Sequence, residues 1–303
     1  MNNINTHFKQ IEDAIDKDIN DLLFNINNTK NIDTLVMSGG GIKGLAHIGC
    51  LKAFEDLDII RQIDTFVGTS IGSFILGIYL CGYTAIEMFD FVLQCDLDSL
   101  KSVDLFNAIT HLGLDTGENI SKFIINLIIN KGLDENITLK QLYNKTNKKL
   151  IITTTILNSQ QPCYMSFENY PNIPLHLAIR MSISIPIYFS PVKYEGQFYI
   201  DGSCMDDYPI HLFKNKINSV IGICLTKTKN FTQDIEYFED YVVLIMNCFM
   251  QGMSFNSIKG FQDHTIQIDF DFINIVNFSL DKYQKLKMFD AGYHSVFNYF
   301  DKS

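Results

Sequence analysis

The sequence predicts an α/β protein on a mostly parallel sheet, from three observations. A short apolar run, Thr34–Ser38, enters the glycine-rich turn Gly39–Gly44 and then a helical pattern reaching Leu57. A second run, Thr65–Val67, enters the turn Gly68–Gly72 and a helical pattern reaching Gly82. Strand, glycine turn and helix twice over require crossovers, which lay both strands parallel in one sheet with right-handed connections.

The remaining elements follow in chain order. Phe8, Ile11, Ile15, Ile19, Leu22 and Ile26 recur every three or four residues. They predict an N-terminal amphipathic helix within residues 1–30, ended by Asn27–Asn31. Its acids, Glu12, Asp13, Asp16, Asp18 and Asp21, make it a poor ligand for anionic lipid. Helical patterns follow over Ala85–Gln94, Asn119–Lys131 and Leu139–Lys145, then a β-rich run over Leu150–Leu157. A helix over Leu175–Ser182 leads into Ile185-Pro186. Lys193–Ile200, broken at Glu195-Gly196, predicts a hairpin ending at Asp201. Strands over Val220–Leu225 and Thr265–Ile268 and helices over Ile235–Met250 and Lys282–Phe300 complete the chain. Without repeat, low-complexity tract or linker, residues 31–303 are expected to form one domain.

Composition narrows the function classes. The 303 residues are 47% hydrophobic and 19% charged, with a net charge of −10. Such a chain is globular, disfavours nucleic acid and gains nothing electrostatically from an anionic membrane. Contact with lipid is expected through apolar groups or a partner. Seven cysteines, none in a C-x-x-C pair, predict reduced thiols and a cytoplasmic location. Any contact with a membrane or lipid aggregate is expected to be peripheral. No metal-ligand spacing occurs. Asn2–Lys17 is too polar for a secretory leader, and the apolar stretches at Phe74–Cys81 and Val242–Met246 are too short to span a bilayer.

The chemistry concentrates in the two glycine turns. Gly68-Thr69-Ser70-Ile71-Gly72 is a G-x-S-x-G elbow, which lifts a serine hydroxyl above a sharp strand-to-helix turn. Ser70 is the expected nucleophile, Gly68 and Gly72 permit the turn, and the helix start at Ile71 presents partial positive charge. Gly39-Gly40-Gly41-Ile42-Lys43-Gly44 offers consecutive backbone N–H groups to a ligand. Gly39, Gly41 and Gly44 also satisfy G-x-G-x-x-G, the dinucleotide pattern. Asp64 precedes the second strand instead of ending it, which counts against that reading. A Walker-A loop is excluded because Leu45 follows Gly44. For the base, His211, His264 and His294 lack a local context, whereas Asp201 closes a hairpin directly before Gly202-Ser203. An aspartate serves as base if partial burial raises its pKa.

These motifs together resemble the patatin-like phospholipases. Gly39–Gly44 with Leu45-Ala46-His47-Ile48-Gly49 resembles that family's oxyanion segment and helix, and Gly68–Gly72 its elbow. Arg180–Val192 is similar to its serine–proline segment, Asp201-Gly202 to its D-G-[GA] motif, and Phe278–Tyr293 to its closing helix. The resemblance implies a three-layer α/β/α fold and a lipid acyl hydrolase with Ser70 and Asp201 as a dyad. Gly39, Gly40, Gly41, Ile42, Lys43 and Gly44 then form the oxyanion hole, supported by Gly68, Gly72 and Gly202. It implies no metal or organic cofactor and a phospholipid or other acyl-ester substrate. The apolar runs Phe74–Leu80 and Ile185–Phe189 fit the lining of an acyl channel, and core packing explains them equally well. Ser203 departs from the usual Gly or Ala, and Asp207 stands where relatives carry Asn. His47 is read as a structural hydrogen-bonder. The competing expectation is a catalytically silent interaction protein of the same fold.

Overall fold

A computed structural model describes residues 32–227, 235, 241, 244, 245, 248, 257–270 and 280–301. The N-terminal helix expected within residues 1–30 and most of the one expected over Ile235–Met250 lie outside the described residues.

Strand β1 (Thr34–Met37) passes through the turn Gly39–Gly44 into helix α1 (Leu45–Asp56). Strand β2 (Thr65–Thr69) passes through Ser70 into α2 (Ile71–Leu80). Helix α3 (Ala85–Gln94) starts at a capping box: Thr84 Oγ1 accepts from the Glu87 N–H while the Glu87 carboxylate accepts from the Thr84 N–H. Next come α4 (Leu105–Thr110), β3 (Gly113–Asp115), α5 (Glu118–Asn130) and α6 (Leu139–Thr146), then β4 (Lys149–Ile156) and β5 (Gln161–Met165). Helix α7 (Leu175–Ser182) leads to β6 (Ile187–Phe189) and to the hairpin β7 (Val192–Tyr194) and β8 (Gln197–Asp201). Glu195 and Gly196 both have positive φ, 47° and 79°, which suits the twist of a two-residue hairpin turn. Strands β9 (Val220–Lys227) and β10 (Thr265–Phe270) and helix α8 (Lys282–Asp301) follow.

The main sheet has a parallel core in the order β10-β9-β1-β2-β4. Its strands are near-continuous apolar runs because both faces are covered. Leu35, Met37, Phe66 and Ile152 enter the larger core with the helices; Val36, Val67 and Ile151 point the other way, onto Tyr208, Ile210 and Ile258. On that second face the described cover is a kinked 3₁₀ segment, Pro209–Ser219, which the sequence reading left unassigned. The reading also omitted α4, β5 and the small parallel pair β3–β6, because elements of a few residues carry too little periodicity to recognise.

Strand β4 organises the site. It pairs with β2 through Lys149–Thr153 and with antiparallel β8 through Thr154–Ile156, while β5 takes its opposite edge over Ile152–Ile156. Therefore β2 and β8 share one edge of β4 and run head-on toward each other. Thr69 pairs with Thr153 and Asp201 with Thr154, so the two strands end at consecutive positions of the same partner. Ser70, the next residue after β2, is thereby brought to the last residue of β8.

Candidate active site

Ser70 stands at the junction of β2 and α2 with φ 52° and ψ −122°, a conformation costly for a residue with a Cβ. The strain is held by a network. The Ser70 N–H donates to Ser182 Oγ at 2.9 Å, Ser182 Oγ donates to the Thr153 carbonyl at 2.6 Å, and Ser73 Oγ donates to the Gly68 carbonyl at 2.6 Å. The glycines of the elbow permit close backbone approach. A Cβ on Gly72 would lie 2.7 Å from the Met37 carbonyl oxygen and 2.8 Å from that of Ser38. One on Gly68 would strike the Gly72–Ser73 backbone, and one on Gly202 the Thr153 carbonyl.

Ser70 Oγ donates to Asp201 Oδ2 at 2.6 Å across 131 residues of sequence. Asp201 Oδ1 accepts from the Ser203 N–H at 2.8 Å. The carboxylate is fully buried, and burial pushes its pKa up to about 7, against the opposing pull of the Ser70 and Ser203 hydrogen bonds. The neighbouring Asp207 carboxylate adds to the upward push.

The glycine loop lies on the adjacent strand, where Met37 is in register with Gly68. Gly39 N–H donates to the Asp207 carbonyl at 3.2 Å, and Lys43 N–H to the Gly40 carbonyl at 3.2 Å. Gly40 and Gly41 take φ 152° and 57°, and Gly41 opens a single 3₁₀ turn, Gly41–Gly44. The N–H groups at the head of such a turn have no intrahelical acceptor. Lys43 is buried in the same turn. His47, on α1, holds the loop from behind: Nε2 is 2.9 Å from the Ser38 carbonyl, to which it donates as the Nε2–H tautomer. Complete burial drives its pKa down to about 4, so the ring stays neutral.

A cavity of about 140 Å³ opens at Ser70 and Gly41. Its walls are almost wholly apolar, formed by Phe74, Ile75 and Ile78 of α2, Phe123 of α5, Ile185 just before β6 and Phe189 at its end. Such a lining fits a hydrocarbon chain. A sequence model of the family described as patatin-like phospholipase matches residues 35–214, which contain both glycine turns and Asp201.

The chain belongs to the patatin-like phospholipase family.

An uncharacterised protein of Acanthamoeba polyphaga mimivirus is 31% identical over 88% of this chain and 92% of its own length. A probable lipid hydrolase of Invertebrate iridescent virus 6 is 34% identical over 62% of this chain and 67% of its own. Among solved structures, VipD from Legionella pneumophila superposes with a TM-score of 0.59 at 15% identity, over 90% of this chain and 67% of that one. That likeness is one of fold.

In this member of the family the predicted site residues gather from four places: the elbow, the glycine loop, the end of β8 and the turn after it. The histidines stand apart. His211 Nδ1 is 3.7 Å from Asp206 Oδ2, and His294 Nδ1 is 2.8 Å from the Asp290 carbonyl on its own helix. Among the described residues, the Ser70 hydroxyl and the Asp201 carboxylate partner each other and Ser203, and the Ser70 N–H partners Ser182; none of these partners is His211, His294 or His264, the last beside β10.

Two residues of the serine–proline segment escaped individual notice in the sequence. Ser182 accepts from the Ser70 N–H. Arg180, buried, donates to the carbonyls of Thr116 at 3.0 Å and Ser190 at 3.2 Å and also to Ser184 Oγ, strapping the cavity wall to α7. Burial lowers its pKa to about 10, so it remains a cation. The available signal was polar: Arg180, Ser182 and Ser184 alternate with apolar residues where a buried helix end needs none.

Proposed function

We infer that this protein is a serine-dependent lipid acyl hydrolase acting through a Ser70–Asp201 dyad. The observation that carries the reading is the 2.6 Å hydrogen bond from Ser70 Oγ to a buried Asp201 at the mouth of an apolar cavity. As Ser70 Oγ attacks the acyl carbonyl carbon, its proton passes to Asp201 Oδ2. A carboxylate with a pKa near 7 is matched to that task, whereas an ordinary one is too weak a base.

In this reading the carbonyl oxygen becomes an oxyanion received by the loop N–H groups of Gly40, Gly41 and Ile42, supported by Gly41 and Ile42 lining the cavity at the head of their turn. The Gly39 N–H and Lys43 N–H already have acceptors, so their residues serve the loop's shape. Collapse breaks the ester bond, and the departing alcohol takes the proton from Asp201. Water then gives its proton to Asp201 and attacks the acyl-serine, releasing the fatty acid and returning the proton to Ser70. The names of the viral lipid hydrolase and of the family support a lipid ester as substrate.

The test is mass spectrometry of products from mixed-lipid vesicles with the intact protein and with Ser70→Ala, alongside labelling by a fluorophosphonate probe. Free fatty acid and labelling at Ser70, both absent in the variant, are expected. Labelling at Ser184 or Ser203 with Ser70 untouched overturns the assignment.

A further inference from the structure

Beside the cavity wall lies a group of apolar side chains that neither the core nor the dyad uses. Phe106 and Ile109 of α4 are 67% and 82% exposed, Leu112 is 60% exposed, and Ile187 of β6 is 49% exposed. They share one surface. The Asp104 N–H, just before α4, donates to the Leu114 carbonyl at 2.8 Å, and Leu112 adjoins Gly113, which pairs with Ile187 across β3–β6. Single exposed apolar residues are ordinary, but a cluster of four large ones signals a binding surface.

Backbone strain singles out the same surface. Leu112 and Ile187 take φ 61° and 68°, the left-handed region that bulky and β-branched residues avoid. The strain holds two apolar side chains in solvent, where the free protein gains no burial from them.

Charge indicates the occupant. Residues 105–114 and 181–192 contain no Asp, Glu, Lys or Arg, in a chain of net charge −10. These two segments therefore offer no Lys or Arg to anionic headgroups and no acid to be desolvated, with the charged Asp104 and Lys193 just outside them. It is also continuous with the cavity: Ile185 and Phe189, on either side of Ile187 in the chain, line the space that opens at Ser70.

We propose that Phe106, Ile109, Leu112 and Ile187 form a docking face that inserts into a zwitterionic lipid bilayer. Docked there, the cavity takes an acyl chain from the membrane through apolar surroundings. The inference rests on the lipid-hydrolase reading for its purpose, while the docking itself is measured without catalysis.

The test uses the full chain and vesicles of phosphatidylcholine alone, followed by flotation. Two double variants are compared with wild type: Phe106→Ser with Ile109→Ser, and Leu112→Gly with Ile187→Gly. Glycine relieves the positive φ, so the second variant keeps or raises its Tm while losing its grip on the membrane. Vesicle binding and hydrolysis of vesicle lipid should each fall about tenfold or more in both variants, because two apolar side chains leave the interface. Hydrolysis of a water-soluble short-chain ester should stay within about twofold, because the dyad is untouched. Unchanged vesicle binding overturns the proposal, and so does binding that needs anionic lipid. A wild-type dimer that both variants dissociate also overturns it, assigning the face to a second copy of the chain. Wild type that docks through these residues yet hydrolyses neither substrate sinks the hydrolase reading and leaves the docking face standing.

Discussion

The two glycine turns sit side by side at the carboxyl ends of neighbouring parallel strands, yet they use their backbone groups in opposite ways. At the elbow the hydrogen bonds are spent internally: Ser70 N–H on Ser182, Ser73 Oγ on Gly68 and Ser70 Oγ on Asp201. At the loop, the Gly39 and Lys43 N–H groups are satisfied within the protein, while Gly41, at the head of the turn, lines the cavity. On the proposed mechanism, a nucleophile must be held still, so its surroundings are closed. An oxyanion appears only during reaction, so its donors must be fixed but unoccupied. Similar glycine-rich sequence thus serves two ends, and the difference lies in what each turn touches.

The largest effect that would sharpen this contrast comes from the closed side. Asp201→Asn removes the base and should lower kcat by about four decades or more, as loss of a triad member does elsewhere. The same variant reports on burial. The folded pKa near 7 lies above the ordinary value of 3.8, so the protonated carboxyl favours the fold at low pH and that contribution is lost as pH rises through about 7. Asparagine has no charge to bury. Asp201→Asn should therefore unfold at a higher temperature than wild type at pH 8, with the gap closing by about pH 4. For wild type, kcat/KM should rise through about pH 7 as Asp201 ionises. A flat profile, or equal Tm shifts at both pH values, would contradict an ionising buried base.

Gly41→Ala tests the open side. Alanine at φ 57° tilts or crowds the turn, and weakening one oxyanion donor costs about two to three decades in kcat. KM should change little, because the interaction strengthens in the transition state. Normal kcat with lost affinity for a nucleotide would replace the hydrolase with the dinucleotide reading.

A smaller effect is expected at Ser182. Ser182→Ala strands the buried Ser70 N–H, which should cost about 1–3 kcal/mol of stability in chemical denaturation. Turnover should fall by about tenfold as Ser70 leaves its strained φ, a smaller loss than at Asp201. Unaltered stability would show that the elbow does not depend on this acceptor. The smallest effects belong to the histidines. His211→Ala, His264→Ala and His294→Ala should each keep kcat/KM within about twofold in the same ester assay. A loss of several decades in one of them, with normal unfolding, would restore a Ser-His-Asp triad.

Much of the architecture was legible in the sequence because it is periodic or punctuated. The strands before each glycine turn, the helix over Ala85–Gln94 and the hairpin before Asp201 announce themselves through apolar runs, helical spacing and a turn pair. Strand β2 runs to Thr69, two residues past its apolar run, because pairing with β4 continues after the hydrophobic signal ends. The kinked cover over Pro209–Ser219 was not legible, since its form follows the sheet face it packs on.

Residue types and local turns are properties of neighbours in the chain. The sequence alone therefore determined the elbow at Ser70, the glycine loop, the parallel sheet and the acid at a hairpin end. It named Ser70 and Asp201 as candidates but carried no distance between them. That distance is a consequence of β2 and β8 meeting on one edge of β4, with Thr69 and Asp201 against adjacent partners. Only the tertiary structure decided that the Asp201 carboxylate is buried with a raised pKa, and that Ser182 occupies the Ser70 N–H. Likewise, only the tertiary structure decided that Leu112 and Ile187 face solvent beside the cavity. Burial, strain and hydrogen-bond occupancy depend on segments brought together from far apart in the chain, and local pattern does not encode them.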